Sequence, residues 1–150
     1  MAPLLLEYGP PGLDLQRILR VVIIHDLVEI DAGDTYCYDE AGNRDKAERE
    51  QRAADRIFGL LPDDQRAEFR GLWEEFEAME TPEARFAAAL DRLQPLLHNY
   101  HTGGRKWREH GIRKSQVIAR NRHIADGAPA LWRYAKKMID DAVAQGMLAP

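Results

Sequence analysis

Residues 18–26 of the chain read Ile-Leu-Arg-Val-Val-Ile-Ile-His-Asp, so a nearly continuous apolar run ends in an imidazole and a carboxylate. Six of the first seven residues are apolar, which predicts a buried element. Buried ionisable side chains are costly unless they are paired or bind a metal. His25 and Asp26 therefore require a partner, which is either another core side chain or a divalent cation.

Further carboxylates follow this pair at short range. If residues 13–30 form one helix, Glu29 lies four residues after His25 and three after Asp26, so the three side chains share one face. Asp34 comes shortly afterwards, just past Gly33. Imidazole nitrogen and carboxylate oxygen suit Mn, Fe, Co, Ni or Zn. The residues alone leave two interpretations open, a metal site or a chance His-Asp pair in which the histidine is an ordinary core residue.

The rest of the chain has the pattern of an all-α protein. Strand-type alternation is nearly absent, and apolar residues recur at helical spacing. Glycine and proline separate these segments. The predicted helices span residues 13–30, 44–60, 63–79, 82–100, 115–126 and 129–145. In the first, we expect the core face to contain Leu15, Ile18, Leu19, Val22 and Ile23. At 150 residues we expect a single helical bundle domain, residues 1–150.

The composition narrows the classes of function. Apolar content of 45% and charged content of 31% fit an ordinary globular protein. A net charge of −4 without a dominant basic stripe argues against a nucleic-acid polymer as partner. A single cysteine, Cys37, excludes an intramolecular disulfide and suits a cytoplasmic location. The opening apolar run is too short for a signal peptide or a membrane span.

Asp91 is a second carboxylate in apolar surroundings. It lies within residues 86–97, where most neighbours are apolar or small. Ala87 and Ala88 precede it by about one helical turn and leave space beside its side chain. From the residues alone, Asp91 is either a metal ligand or the partner of a cationic side chain.

Three stretches together resemble a known family, the HD-domain metal-dependent phosphohydrolases, and most closely its 5′-deoxynucleotidase-like branch. The first, residues 25–35, reads His-Asp-Leu-Val-Glu-Ile-Asp-Ala-Gly-Asp-Thr. The second is residues 72–77, Leu-Trp-Glu-Glu-Phe-Glu, and the third is residues 81–95, which contain Asp91. The resemblance extends over most of residues 16–146 and implies an all-α fold of the HD-domain type.

By this resemblance, His25, Asp26 and Asp91 bind one divalent metal ion, which is Mn, Co, Mg, Fe, Ni or Zn. Glu29 and Asp34 lie beside the metal as the catalytic residues. The implied reaction is hydrolysis of a nucleotide phosphate ester, most specifically of a (deoxy)nucleoside 5′-monophosphate.

Lys46 matches a basic position of the family and is expected to meet the substrate phosphate. The alternative is a solvated helix lysine paired with Glu50 at i+4.

The chain departs from the family pattern at one point. The family takes a further histidine from an upstream helix, whereas no histidine precedes His25. Residues 1–9 look like the end of that helix, so a misplaced start codon, a shortened chain and true loss of the ligand are all open.

The alternative functions are therefore a catalytically impaired metal- or nucleotide-binding protein, or a helical scaffold in which Trp73, Leu131 and Trp132 pack a subunit interface. Because family members are often dimers and residues 13–30 expect an apolar neighbour, we expect a homodimer or larger assembly.

Overall fold

Helices account for nearly all of the regular structure in the computed structural model, which describes residues 1–39 and 41–150. The helices are α1 (Ala2–Leu5), α2 (Leu15–Ile24), α3 (Glu29–Ala32), α4 (Lys46–Phe58), α5 (Asp63–Ala78), α6 (Pro82–His101), α7 (Arg105–Glu109), α8 (Lys114–Asn121), α9 (Ile124–Gly127) and α10 (Pro129–Ala144). Within those described ranges, extended pairing is limited to an isolated bridge between Arg113 and Ala149. The predicted all-α class is confirmed.

The first predicted helix is interrupted where the functional residues begin. Residues 13–30 do not form one α-helix: α2 ends at Ile24, a 3₁₀ turn covers His25–Val28, and α3 follows. His25 and Val28 are both buried, and their spacing of three residues fits the three residues per turn of a 3₁₀ helix. A search for 3.6-residue periodicity does not reveal such a turn.

Side-chain caps fix the starts of α2, which leads into the 3₁₀ turn at His25, and of α6, which contains Asp91. Asp14 Oδ1 accepts hydrogen bonds from the backbone N–H of Gln16 (2.8 Å) and Arg17 (3.1 Å) at the start of α2. Thr81 accepts from the N–H of Ala84 (3.1 Å) before α6, and Pro82 occupies the first turn. These caps satisfy N–H groups that have no partner within the helix.

Helix α6 is the centre of the bundle and packs against α2, α5, α9 and α10. Its buried face includes several alanines, which allow neighbouring helices to approach closely. One close approach is at Gly127 of α9, where an added Cβ would overlap the Arg85 carbonyl group. Helix α9 therefore lies directly on the start of α6.

The buried face of α2 differs from the predicted one. Ile18 and Val21 are fully buried, but Leu19 is 36% exposed and Ile23 is 68% exposed. The expectation that Leu19 and Ile23 face the core is wrong, because α5 and α6 cover only one side of α2.

The region after α6 also differs from the sequence prediction. Gly103 and Gly104 end α6 as expected, with φ angles of 69° and 71°, but they lead directly into α7, which was not predicted. The single helix predicted over residues 115–126 is instead α8 and α9. Trp107 of α7 is buried and closes this part of the core.

Two residues proposed for a scaffold interface are internal. Trp73 and Leu131 belong to the hydrophobic core of the single chain, which removes them from any contact surface. Among the described helices, none combines the length and the apolar character needed to cross a bilayer.

Candidate active site

The six residues predicted for the site line one cavity. Its volume is about 320 Å³, within the range of small-molecule sites. The six residues are His25, Asp26, Glu29, Asp34, Lys46 and Asp91. They come from α4, α6 and the segment around the 3₁₀ turn, so the fold unites groups that are distant in sequence.

The two ring nitrogens of His25 have different environments. Nδ1 lies 2.8 Å from the carbonyl oxygen of Val22, and the ring stacks on Phe76 with 4.0 Å between centroids. Since a carbonyl only accepts hydrogen bonds, it fixes a proton on Nδ1 and leaves the Nε2 lone pair for another partner. Nε2 is shielded from solvent, and without a proton it has no hydrogen-bond donor facing it among the described residues.

Two carboxylates converge on this nitrogen. Nε2 of His25 lies 3.0 Å from Oδ1 of Asp26 and 3.6 Å from Oδ1 of Asp91. Asp91 also contacts Arg92, whose Nε and Nη2 lie 2.9 Å and 2.6 Å from Oδ2. Asp91 is therefore the partner of a cationic side chain through Oδ2, while Oδ1 faces His25. Its role as a metal ligand stays a prediction.

The electrostatics of this cluster favour a positive charge at Nε2. Burial lowers the pKa of His25, but the contact with Asp91 and the charge of Asp26 outweigh it, so the pKa is raised. Burial alone would raise the pKa of Asp91, yet His25 and Arg92 lower it. A neutral imidazole between two carboxylates leaves all three groups poorly satisfied, whereas a proton or a metal cation satisfies them.

The donor set fits a divalent cation but does not form a finished coordination shell. Among residues 1–39 and 41–150, no group of three or more His, Cys, Asp or Glu side chains has the arrangement of a complete metal site. His25 contacts Asp26 directly, so these groups must separate to surround an ion. The orphaned Nε2, with its carbonyl-bound Nδ1, is nevertheless the arrangement found in metal-bound histidines.

Glu29 and Asp34 enter the cavity from either end of α3. Gly33, with a φ of 76°, ends α3 and turns the chain so that Asp34 follows immediately. Burial raises the pKa of Glu29, and the charges of Asp26 and Asp34 raise it further. Glu29 therefore holds a proton more readily than an exposed glutamate.

Lys46 lines the cavity and also pairs with Glu50, so the two interpretations given for it do not exclude each other. It lies at the start of α4 and lines the cavity, and its Nζ is 3.0 Å from Oε1 of Glu50. Glu50 is buried, so the lysine is held in place over the cavity rather than free in solvent.

Several cavity residues were not anticipated from the sequence. They include Tyr38, Arg92, Asn99, Trp107 and Arg120. Asn99 could have been found, because it lies two helical turns beyond Asp91 on the same face of α6. Arg120 could not, since the position of α8 depends on tertiary packing. The remaining histidines, His98, His101, His110 and His123, do not line this cavity.

The chain is similar to one protein family and to several known proteins. The family model described as HD domain matches residues 1–132. The chain is 36% identical over 85 residues to the 5′-deoxynucleotidase HDDC2 of Mus musculus, covering 57% of this chain and 43% of that protein. It is 34% identical over 97 residues to the 5′-deoxynucleotidase HDDC2 of Homo sapiens, covering 65% and 48%. The chain thus spans slightly less than half the length of these curated relatives.

A solved structure covers the whole chain. The crystal structure of a predicted metal-dependent phosphohydrolase from Magnetospirillum magnetotacticum MS-1 matches with a TM-score of 0.95 and 52% identity. The match covers 100% of this chain and 75% of that one.

Proposed function

Because the chain belongs to the HD-domain family, we propose that it is a divalent-metal-dependent phosphohydrolase that acts on a nucleotide phosphate ester. The most specific form of the proposal is hydrolysis of (deoxy)nucleoside 5′-monophosphates, which the names of the HDDC2 relatives support. The observation that carries it is the orphaned Nε2 of His25, which faces Asp26 and Asp91 inside a ligand-sized cavity.

His25, Asp26 and Asp91 are the residues that would hold the metal. When bound, a divalent ion lowers the pKa of its water and offsets charge on the phosphoryl oxygens. The donor set of one imidazole and two carboxylates accepts Mn, Co, Fe, Ni, Zn or Mg. Arg92 keeps Oδ2 of Asp91 occupied and so directs Oδ1 toward His25.

The other cavity residues supply proton transfer and substrate contacts. Glu29 is suited to hold and release a proton because burial and its carboxylate neighbours raise its pKa. Asp34 lies close enough to affect that pKa and is the second candidate for orienting water. Lys46, held by Glu50, presents a positive charge to the substrate phosphate.

The test combines metal binding with catalysis. We expect wild-type protein to bind Mn²⁺ in calorimetry and to release phosphate from deoxyadenosine 5′-monophosphate. Asp91→Asn should weaken Mn²⁺ binding and reduce the rate of phosphate release by at least about 100-fold, because one of the three proposed metal ligands is lost. His98→Gln is the control, since His98 is exposed and outside the cavity. Unchanged Mn²⁺ affinity in Asp91→Asn would overturn the metal assignment.

A second candidate is a metal- or nucleotide-binding protein with little catalysis. It is favoured by the lack of a complete metal-binding group among the described residues. For this candidate, the protein binds Mn²⁺ or deoxyadenosine 5′-monophosphate in calorimetry but releases little phosphate. Phosphate release that depends on added Mn²⁺ or Co²⁺ would contradict it.

A further inference from the structure

The chain between α3 and α4 forms one wall of the cavity. Residues 34–38 all line it, so five consecutive residues border the space in which the substrate is proposed to bind. Residues 33–39, here called the cavity loop, belong to neither a helix nor a strand. A wall of this kind keeps its shape only if contacts from other elements hold it.

Arg49 on α4 supplies such contacts. Its Nη1 donates to the carbonyl oxygen of Ala32, directly before the cavity loop. Its Nη2 donates to Oγ1 of Thr35 within the loop and to the carbonyl oxygen of Gly42 after it, both at 2.9 Å. Its Nε donates to Oδ1 of Asp45 at 3.0 Å, just before α4. One guanidinium therefore joins the chain before, within and after the loop.

These acceptors match the geometry of an arginine. Its five N–H groups point outward in one plane and can bind acceptors on several sides at once, which the single ammonium group of a lysine cannot do. The Ala32 carbonyl belongs to the last residue of α3, where carbonyl groups have no partner within the helix. The Arg49 side chain is only 27% exposed, so water competes weakly for these hydrogen bonds.

Packing around Thr35 and Tyr36 restricts the loop further. An added Cβ at Gly42 would come within 3.0 Å of Cγ2 of Thr35, so the backbone at Gly42 lies directly against that side chain. The ring of Tyr36 stacks on His110 with 4.5 Å between centroids. The cavity loop is therefore held at Thr35 by Arg49 and at Tyr36 by His110.

Arg49 itself does not line the cavity, so its effect on a ligand passes through the loop. Thr35 directly follows Asp34, and a shift of one moves the other. Asp34 lies close enough to Glu29 for its charge to raise the pKa of that carboxyl. Holding Thr35 therefore also holds the distance between the two carboxylates proposed to act in the reaction.

We propose that Arg49 is a positioning residue for the phosphohydrolase reaction. By bonding to the chain before, within and after the cavity loop, it fixes Asp34 and the loop wall in the arrangement that the nucleotide requires. The proposal rests on the proposed function, which assigns Asp34 to the reaction. The three proposed metal ligands lie outside the loop, so Arg49 acts on the nucleotide and not on the metal.

The experiment compares Arg49→Met with two other variants. Arg52→Met is the matched control, because Arg52 lies on the same helix and forms an exposed pair with Glu48. Thr35→Val keeps the shape of the side chain and removes the hydroxyl that Arg49 contacts. Three quantities are measured: hydrogen–deuterium exchange along the chain, Mn²⁺ affinity by calorimetry, and kcat/KM for phosphate release from deoxyadenosine 5′-monophosphate with Mn²⁺.

We expect Arg49→Met to speed exchange in the cavity loop and to lower kcat/KM about tenfold or more, because several hydrogen bonds from a charged group are lost. Mn²⁺ affinity should not change. Thr35→Val should lower kcat/KM less, and adding it to Arg49→Met should cause no further loss, because the two residues act through one contact. Arg52→Met should change none of the three quantities.

Three results would overturn the proposal. The first is unchanged exchange in the cavity loop of Arg49→Met. The second is faster loop exchange with an unchanged kcat/KM. The third is faster exchange throughout the chain together with weaker Mn²⁺ binding, which would show that Arg49 supports the fold as a whole.

Failure of the proposed function is a separate result, in which wild-type protein releases no phosphate with any divalent metal. The Kd of deoxyadenosine 5′-monophosphate in Mn²⁺ then replaces kcat/KM, since the nucleotide stays intact. A Kd raised about tenfold in Arg49→Met but not in Arg52→Met would support the positioning role. Equal Kd values, or no binding by wild-type protein, would overturn it.

Discussion

One oxygen of the Asp91 carboxylate contacts Arg92, and the other faces His25. Removing the Arg92 contact should lower the stability of the protein. Arg92→Met leaves a mostly buried carboxylate with one partner fewer. We expect the free energy of unfolding at pH 7 to fall by about 1–3 kcal/mol, measured by urea denaturation. The control is Arg105→Met, which breaks an exposed pair with Glu109 and should have no measurable effect. Equal stability of Arg92→Met and wild-type protein would show that Arg92 does not support Asp91.

His123 gives the molecule a specific pH dependence. Burial lowers its pKa in the folded state, and Arg92 and Arg120 lower it further. Between that lowered pKa and the unfolded value of about 6.5, the unfolded chain binds more protons, so stability falls as the pH falls through this window. We expect His123→Asn to lose less stability than wild-type protein between pH 7.5 and pH 5.5 in urea denaturation. The same loss in both proteins would contradict the shift.

Single residues also show which parts of the site could be predicted from the sequence. Buried charge and family resemblance predict that His25, Asp26 and Asp91 bind one metal ion. The structure places Nε2 of His25 3.0 Å from Asp26 and 3.6 Å from Asp91. Their roles as metal ligands stay a prediction. Arg120 was missed as a cavity residue because its position depends on where α8 lies, which no local pattern encodes.

Helix bounds that depend on local sequence signals were predicted correctly. Helix bounds that depend on tertiary packing were not. The helix predicted from residue 82 agrees with the start of α6, because the Thr81 cap and the proline after it are local features of the sequence. The 3₁₀ turn at His25–Val28 and the short helix α7 were not foreseen. Both are set by packing, since each buries one residue, His25 or Trp107, against helices far away in sequence.

The contact between α6 and α9 supplies a prediction at this scale. Gly127→Ala introduces a methyl group that overlaps the Arg85 backbone, so α9 must move away from α6. We expect a loss of about 1–3 kcal/mol or more in unfolding free energy. Gly71→Ala is the matched control, because Gly71 lies within α5 and its added methyl group meets nothing within 4 Å. That change should be neutral or stabilising by up to about 1 kcal/mol. Equal effects at both positions would contradict close packing at Gly127.

The surface of the whole molecule leaves an apolar face uncovered. Leu19 and Ile23 project from α2, and Ile30 on α3 is 73% exposed. Water contact with these side chains is unfavourable by roughly 25 cal/mol per Å² of apolar surface, which favours association. A homodimer or larger assembly therefore stays a prediction, and we expect its interface to include Leu19, Ile23 and Ile30.

Mass measurement in solution at micromolar concentration tests this expectation. We expect wild-type protein to have at least twice the monomer mass of 17.1 kDa. Ile23→Glu should shift it toward the monomer, because a charge would be buried at the interface. Tyr134→Glu is the control, since Tyr134 is an exposed side chain on α10. A wild-type monomer that does not bind a hydrophobic dye would refute the prediction.

The cavity described above also determines when during synthesis the site can form. Its walls come from residues that lie between His25 and Asn121, and α8 provides the last of them. A nascent chain therefore cannot complete the cavity until α8 has left the exit tunnel of the ribosome. Any nucleotide that binds the finished fold then stabilises the whole domain at once, by about 2.7 kcal/mol at 100 times its Kd.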